Sequence, residues 1–64
     1  MSSEFPKTPP RDVPPADRER AHELQIQLFT LEARLQAANF EDKEAYRRAI
    51  RERREELDAL RIGA

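Results

Sequence analysis

The chain has 64 residues, of which 38% are hydrophobic and 39% charged, with no Cys, no Trp, one His and a formal net charge of -1. These values allow one domain with a small core, exclude a disulfide framework and thiolate zinc sites, and argue against a generic attraction to nucleic acid or anionic lipid. No apolar run approaches the ~20 residues of a bilayer span, and the opening MSSEFPKTPP has no hydrophobic stretch of signal-peptide type, so the expectation is a soluble, cytoplasmic protein without membrane insertion.

Residues 1–15 hold all five prolines, Pro6, Pro9, Pro10, Pro14 and Pro15. Proline fixes φ, removes a backbone donor and pushes its predecessor toward extended conformations, so this stretch reads as an extended arm, a tail that does not fold by itself. Within it, PKTPPR satisfies the Pro-x-x-Pro-x-Arg pattern that polyproline helices present to SH3-type grooves, a short match that is frequent by chance. Phe5 is an isolated aromatic there and reads as an anchor for a partner's pocket.

From residue 16 the composition becomes Ala, Leu, Glu, Arg and Gln, the strongest helix formers. A first helix is predicted over about 16–38, with Pro15 at its start and Asp17 and Glu19 at the positive end of its dipole. Ala21, Leu24, Leu28, Leu31, Leu35 and Ala38 follow a 3-4-3-4-3 spacing, a seam that packs on another helix. Ile26 and Phe29 lie well over 100° from the middle of that seam, and Ala33 and Ala37 extend their line. They read as a second stripe for a partner; the alternative is that Phe29 merely widens the core face. His22 is the only histidine, and HELQI lacks the second histidine four residues on that a helical zinc site requires.

A turn is predicted over about 39–41, in AANFED. Asn39 is suited to the left-handed conformation that ends a helix, Asn39 or Asp42 to capping the next one, and Phe40 to packing back as a staple. The alternative is one continuous helix of about 45 residues.

A second helix is predicted over about 41–61, with Tyr46, Ile50, Leu57 and Leu60 on its seam and Arg53 where an apolar residue is expected. Arg53 reads as snorkelling over the core or meeting Glu32 on the first helix. Gly63 closes the run with a short frayed end. Five arginines, Arg47, Arg48, Arg51, Arg53 and Arg54, fall within eight residues. Arg47, Arg48, Arg51 and Arg54 are the candidates for phosphate contacts. Residues 40–64 nevertheless carry seven basic and seven acidic side chains, and Glu44–Arg48, Arg48–Glu52, Arg51–Glu55 and Arg54–Asp58 stand four apart, so an ion-paired solvated face is the preferred reading.

The stretch EELDAL, residues 55–60, resembles the acidic signature of the small sporulation-type aspartyl-phosphate phosphatases. That signature has Ser-Gln before its Glu-Leu-Asp where this chain has Arg54 and Glu55, so no role passes to Asp58.

The fold class expected is all-α: an antiparallel, coiled-coil-like helical hairpin over 16–62 preceded by an extended proline-rich arm over 1–15. Two helices alone bury one stripe each, too little to offset about 1.5 kcal/mol of ordering cost per residue, which implies a partner, either another protein or a second copy. With no Cys, no Gly-rich phosphate loop and no Ser–His–acid set, neither catalysis, a cofactor nor a small-molecule substrate is expected. The expected function is that of a non-catalytic accessory or structural subunit. Its seam would be Leu24, Leu28, Leu31, Leu35, Tyr46, Ile50, Leu57 and Leu60, and its partner anchors Phe5, Ile26, Phe29, Ala33 and Ala37. The alternatives are a homodimeric four-helix bundle binding nucleic acid through the second helix, and an inhibitor that masks a partner's surface.

Overall fold

The computed structural model describes residues 5–63. A 3-10 turn, Pro15–Asp17, leads into helix α1, Arg18–Ala37, and helix α2 follows as Phe40–Leu60. The two helices pack against each other as an antiparallel hairpin with overall extents of 38 × 22 × 18 Å, and no strand occurs among the described residues. The antiparallel sense is visible in the cross-links: Arg20 at the start of α1 reaches Glu56 near the end of α2, while Gln27 and Glu32 meet Arg53 and Arg54 further along.

The start of α1 differs slightly from the sequence expectation. Pro14 and Pro15 bring no N–H, and the chain enters through tight bonds from Asp17 N–H to the Pro14 carbonyl, 2.9 Å, and from Arg18 N–H to the Pro15 carbonyl. Regular α geometry therefore begins at Arg18 rather than at residue 16.

The connection is Ala38–Asn39, both residues extended (φ -76°, ψ 152° and φ -67°, ψ 157°), which rules out the continuous helix. Asn39 is not left-handed as expected; among the described residues only Gly63, at φ 85°, has a positive φ. Asn39 occupies the N-cap position of α2 without a side-chain bond, and its carbonyl accepts from Asp42 and Lys43 at 3.0 and 3.1 Å. Glu41 and Asp42 complement the positive end of the α2 dipole. Phe40 is no staple. As the first residue of α2, after two extended residues, it projects from the hairpin tip and is 91% exposed.

The core consists of Val13, Ala21, Leu24, Leu28, Ile50 and Leu57, with Leu31, Leu35 and Leu60 packed at its edge. Seven of the eight residues of the predicted seam lie in this core or at its edge; Tyr46 is half-buried and is not among them. Val13 corrects the reading of the arm as a tail. It is fully buried, and a valine taken out of water contributes about 1.5–3 kcal/mol. The arm is pinned on both sides of that residue: Arg18 Nε donates to the Val13 carbonyl at 3.4 Å, Ile62 N–H donates to the Asp12 carbonyl at 2.7 Å, and Arg61 pairs with Asp12 at 3.3 Å. α2 stops at Leu60 rather than at Gly63, and the same tie holds the following residues to the arm as far as Ile62.

Candidate functional site

The fold divides the expected partner stripe in two. Phe5 stacks edge to face on Phe29, with ring centroids 5.3 Å apart and planes at 75°, and the neighbouring Pro6 carbonyl lies 2.9 Å from His22 Nε2. The carbonyl is an acceptor, so the ring nitrogen facing it carries the proton. Two of the proposed partner anchors thus satisfy each other within the chain, although Phe5 keeps 47% of its surface exposed. Ile26 is half-buried and opens onto a groove of about 220 Å³ shared with Gln27, Thr30, Leu31, Arg34 and Arg53, while Ala33 and Ala37 are exposed. The Thr30 hydroxyl, in the lining of that groove, donates to the Ile26 carbonyl at 3.1 Å.

Of the two expectations for Arg53, the pairing with Glu32 is not formed. Arg53 is half-buried, its Nε donates to Gln27 Oε1 across the hairpin at 2.9 Å, and an Nη donates to the Ala49 carbonyl at 3.3 Å. Glu32 instead takes Arg54, at 3.1 Å.

The arginine-rich stretch is likewise wired across the hairpin rather than along α2. Among the described residues none of the four expected i,i+4 pairs is closed; Arg54 crosses to Glu32, and Asp58 is held by Arg61 at 3.0 Å. Glu56 is reached from the other helix by Arg20 at 2.7 Å, and Arg20 also pairs with Glu23 at 3.2 Å. The hydrogen bond to Glu56 is the main cause that holds the Arg20 guanidinium above its ordinary range.

Of the candidate phosphate contacts, Arg47, Arg51 and Arg54 share one open groove of about 430 Å³, and Arg48 stands exposed outside it. Leu35 and Ile50 line the same groove, and so do Glu32, Glu55 and Asp58. A phosphate backbone laid there would meet three carboxylates beside the three guanidinium groups, so the groove is a mixed-charge surface with apolar side chains at its base.

Two contributors, Val13 and Gln27, escaped the sequence reading, and a third, Phe40, was assigned the wrong role. Val13 is a lone aliphatic between prolines, and Phe40 a lone aromatic before an acidic turn; in both cases the only signal was an apolar side chain in a polar neighbourhood. Gln27 carries no periodic signal at all and is identified only by its bond to Arg53.

Among the described residues no group of three or more His, Cys, Asp and Glu side chains is placed to hold a metal ion, and no helix is long and apolar enough to cross a membrane. No family model matches the chain, and neither the curated proteins nor the solved structures contain a match to it.

Proposed function

We propose that this chain is a non-catalytic accessory subunit that docks on another protein through the tip of its hairpin. The observation that supports the reading is the asymmetry between the two ends. At the arm end, Val13, Ala21, Leu24 and Leu57 are closed off, and Ile62, although 68% exposed, is tied by its N–H to the Asp12 carbonyl. Toward the tip, Leu31 and Leu35 are only partly covered and Phe40 stands 91% exposed. An isolated aromatic that projects from a rigid turn beside half-covered leucines is the kind of anchor that fills a partner's pocket.

The non-catalytic part of the reading is supported by the chemistry available. The single histidine is engaged by the Pro6 carbonyl, and the carboxylates in the larger groove stand beside arginines. A cytoplasmic site of action belongs to the same proposal.

The test is affinity isolation of the tagged chain from its native source, with Phe40→Ser run in parallel and helicity checked by circular dichroism. The expected result is a protein recovered in stoichiometric amount with the parent chain and lost with the equally helical variant. Recovery of the same proteins by both would overturn the reading.

A further inference from the structure

We propose that the charged face of α2 is a two-fold contact between copies of this chain. It meets the hairpin-tip surface only at Leu35, and its test turns on Arg51 and Asp58 rather than on Phe40, so either reading can fail while the other stands.

The face is the one that lines the larger groove. Arg47, Arg51 and Arg54 occupy its first half, Glu55 and Asp58 its second, with Leu35 and Ile50 at the base. Basic then acidic in chain order is a pattern that complements itself when reversed. Two α2 helices laid antiparallel about an axis between Arg54 and Glu55 set Arg51 against Asp58 of the second copy and Arg54 against its Glu55. The symmetry repeats both, which gives four opposite-sign pairs from one patch, as an isologous interface requires.

The present partners of these groups are weak competitors. Arg54–Glu32 and Asp58–Arg61 are exposed surface pairs, and Arg47 and Arg51 close no ion pair among the described residues.

Other occupants fit less well. An acidic peptide would meet Glu55 and Asp58 over half its length, and nucleic acid would meet those carboxylates and Glu32 as well. The axis leaves Phe40 about 22 Å away along α2, beyond the end of the facing helix, and thus free for a different protein.

The experiment is sedimentation velocity of the full chain over a concentration series at low ionic strength, with Arg51→Asp, Asp58→Arg and the two combined. The parent chain is expected to form a dimer by roughly 0.1 mM, and each single reversal to weaken it by about tenfold or more. Combining the reversals restores an attractive pair between copies and is expected to bring the dimer back to within about threefold of the parent, a recovery that a merely structural role for either side chain would not give. A parent chain that stays monomeric, single variants that dimerise as well as the parent, or a double variant no better than the singles would each overturn the proposal. So would a monomer that gains mass only when short duplex DNA is added, which would assign the arginines to phosphate.

Discussion

Phe5 and Phe29 meet edge to face at 5.3 Å, twenty-four positions apart in the chain, and so hold the proline-rich arm along the first helix. An edge-to-face pair contributes about 0.5–1.5 kcal/mol beyond its area burial. Phe5→Ala is expected to lower the thermal midpoint modestly and to raise proteolytic cleavage within residues 5–12, leaving the hairpin's helicity unchanged. Unaltered cleavage would mean that the contact does not hold the arm.

Val13 carries more of the fold than its place among prolines suggests. Val13→Ala removes two buried methyl groups beside Leu24 and the rest of a six-residue core, and is expected to cost about 2 kcal/mol in urea unfolding. Val13→Asp, which buries a charge there, is expected to release the arm altogether, with loss of the hydrogen-exchange protection of the Ile62 amide. A midpoint unchanged by Val13→Ala would exclude the arm from the core.

Asn39 discriminates between the turn expected from sequence and the turn observed. Its φ of -67° is the value proline imposes, the preceding Ala38 is already extended, and among the described residues its N–H makes no backbone hydrogen bond. Asn39→Pro is therefore expected to stabilise the hairpin by about 0.4–1 kcal/mol through the unfolded chain, and Asn39→Gly to destabilise it by a similar amount. Left-handed backbone at this position would give the opposite order in a chemical melt.

The link between Arg53 and Gln27 is a charged group bonded to a neutral amide in a half-buried setting. Removing one partner leaves the other in need of solvent, whereas Arg53→Met with Gln27→Leu replaces both by apolar side chains of similar length. A double-mutant cycle is expected to give a coupling of about 1 kcal/mol, with the double variant close to the parent in stability. Additive losses would show that the two side chains do not act together.

The hairpin itself was legible because its signal is periodic: Leu24, Leu28, Leu31 and Leu35 repeat often enough to fix a face, and Ile50, Leu57 and Leu60 supply its counterpart. Features that depend on a single side chain were not. Asn39 permits a left-handed turn but does not demand one, and with Phe40 nothing in the local spacing says whether a lone aromatic folds back or projects. The arm was misread for a related reason. Proline content reports what a segment cannot do by itself, and the contacts that order Val13 and Asp12 come from outside the arm, in part from Ile50, Leu57 and Ile62 at the far end of the sequence.

The hydrogen bond from Ile62 to Asp12 makes the backbone, in effect, a nearly closed ring. In a ring the point of opening is arbitrary, and the hairpin tip is the one place where a cut would cross neither the core nor the arm. A circular permutant joined near residues 12 and 62 and opened between Ala38 and Asn39 would keep every core side chain on one continuous chain while setting Phe40 close to a new chain end, so the architecture separates what folds the molecule from what it presents.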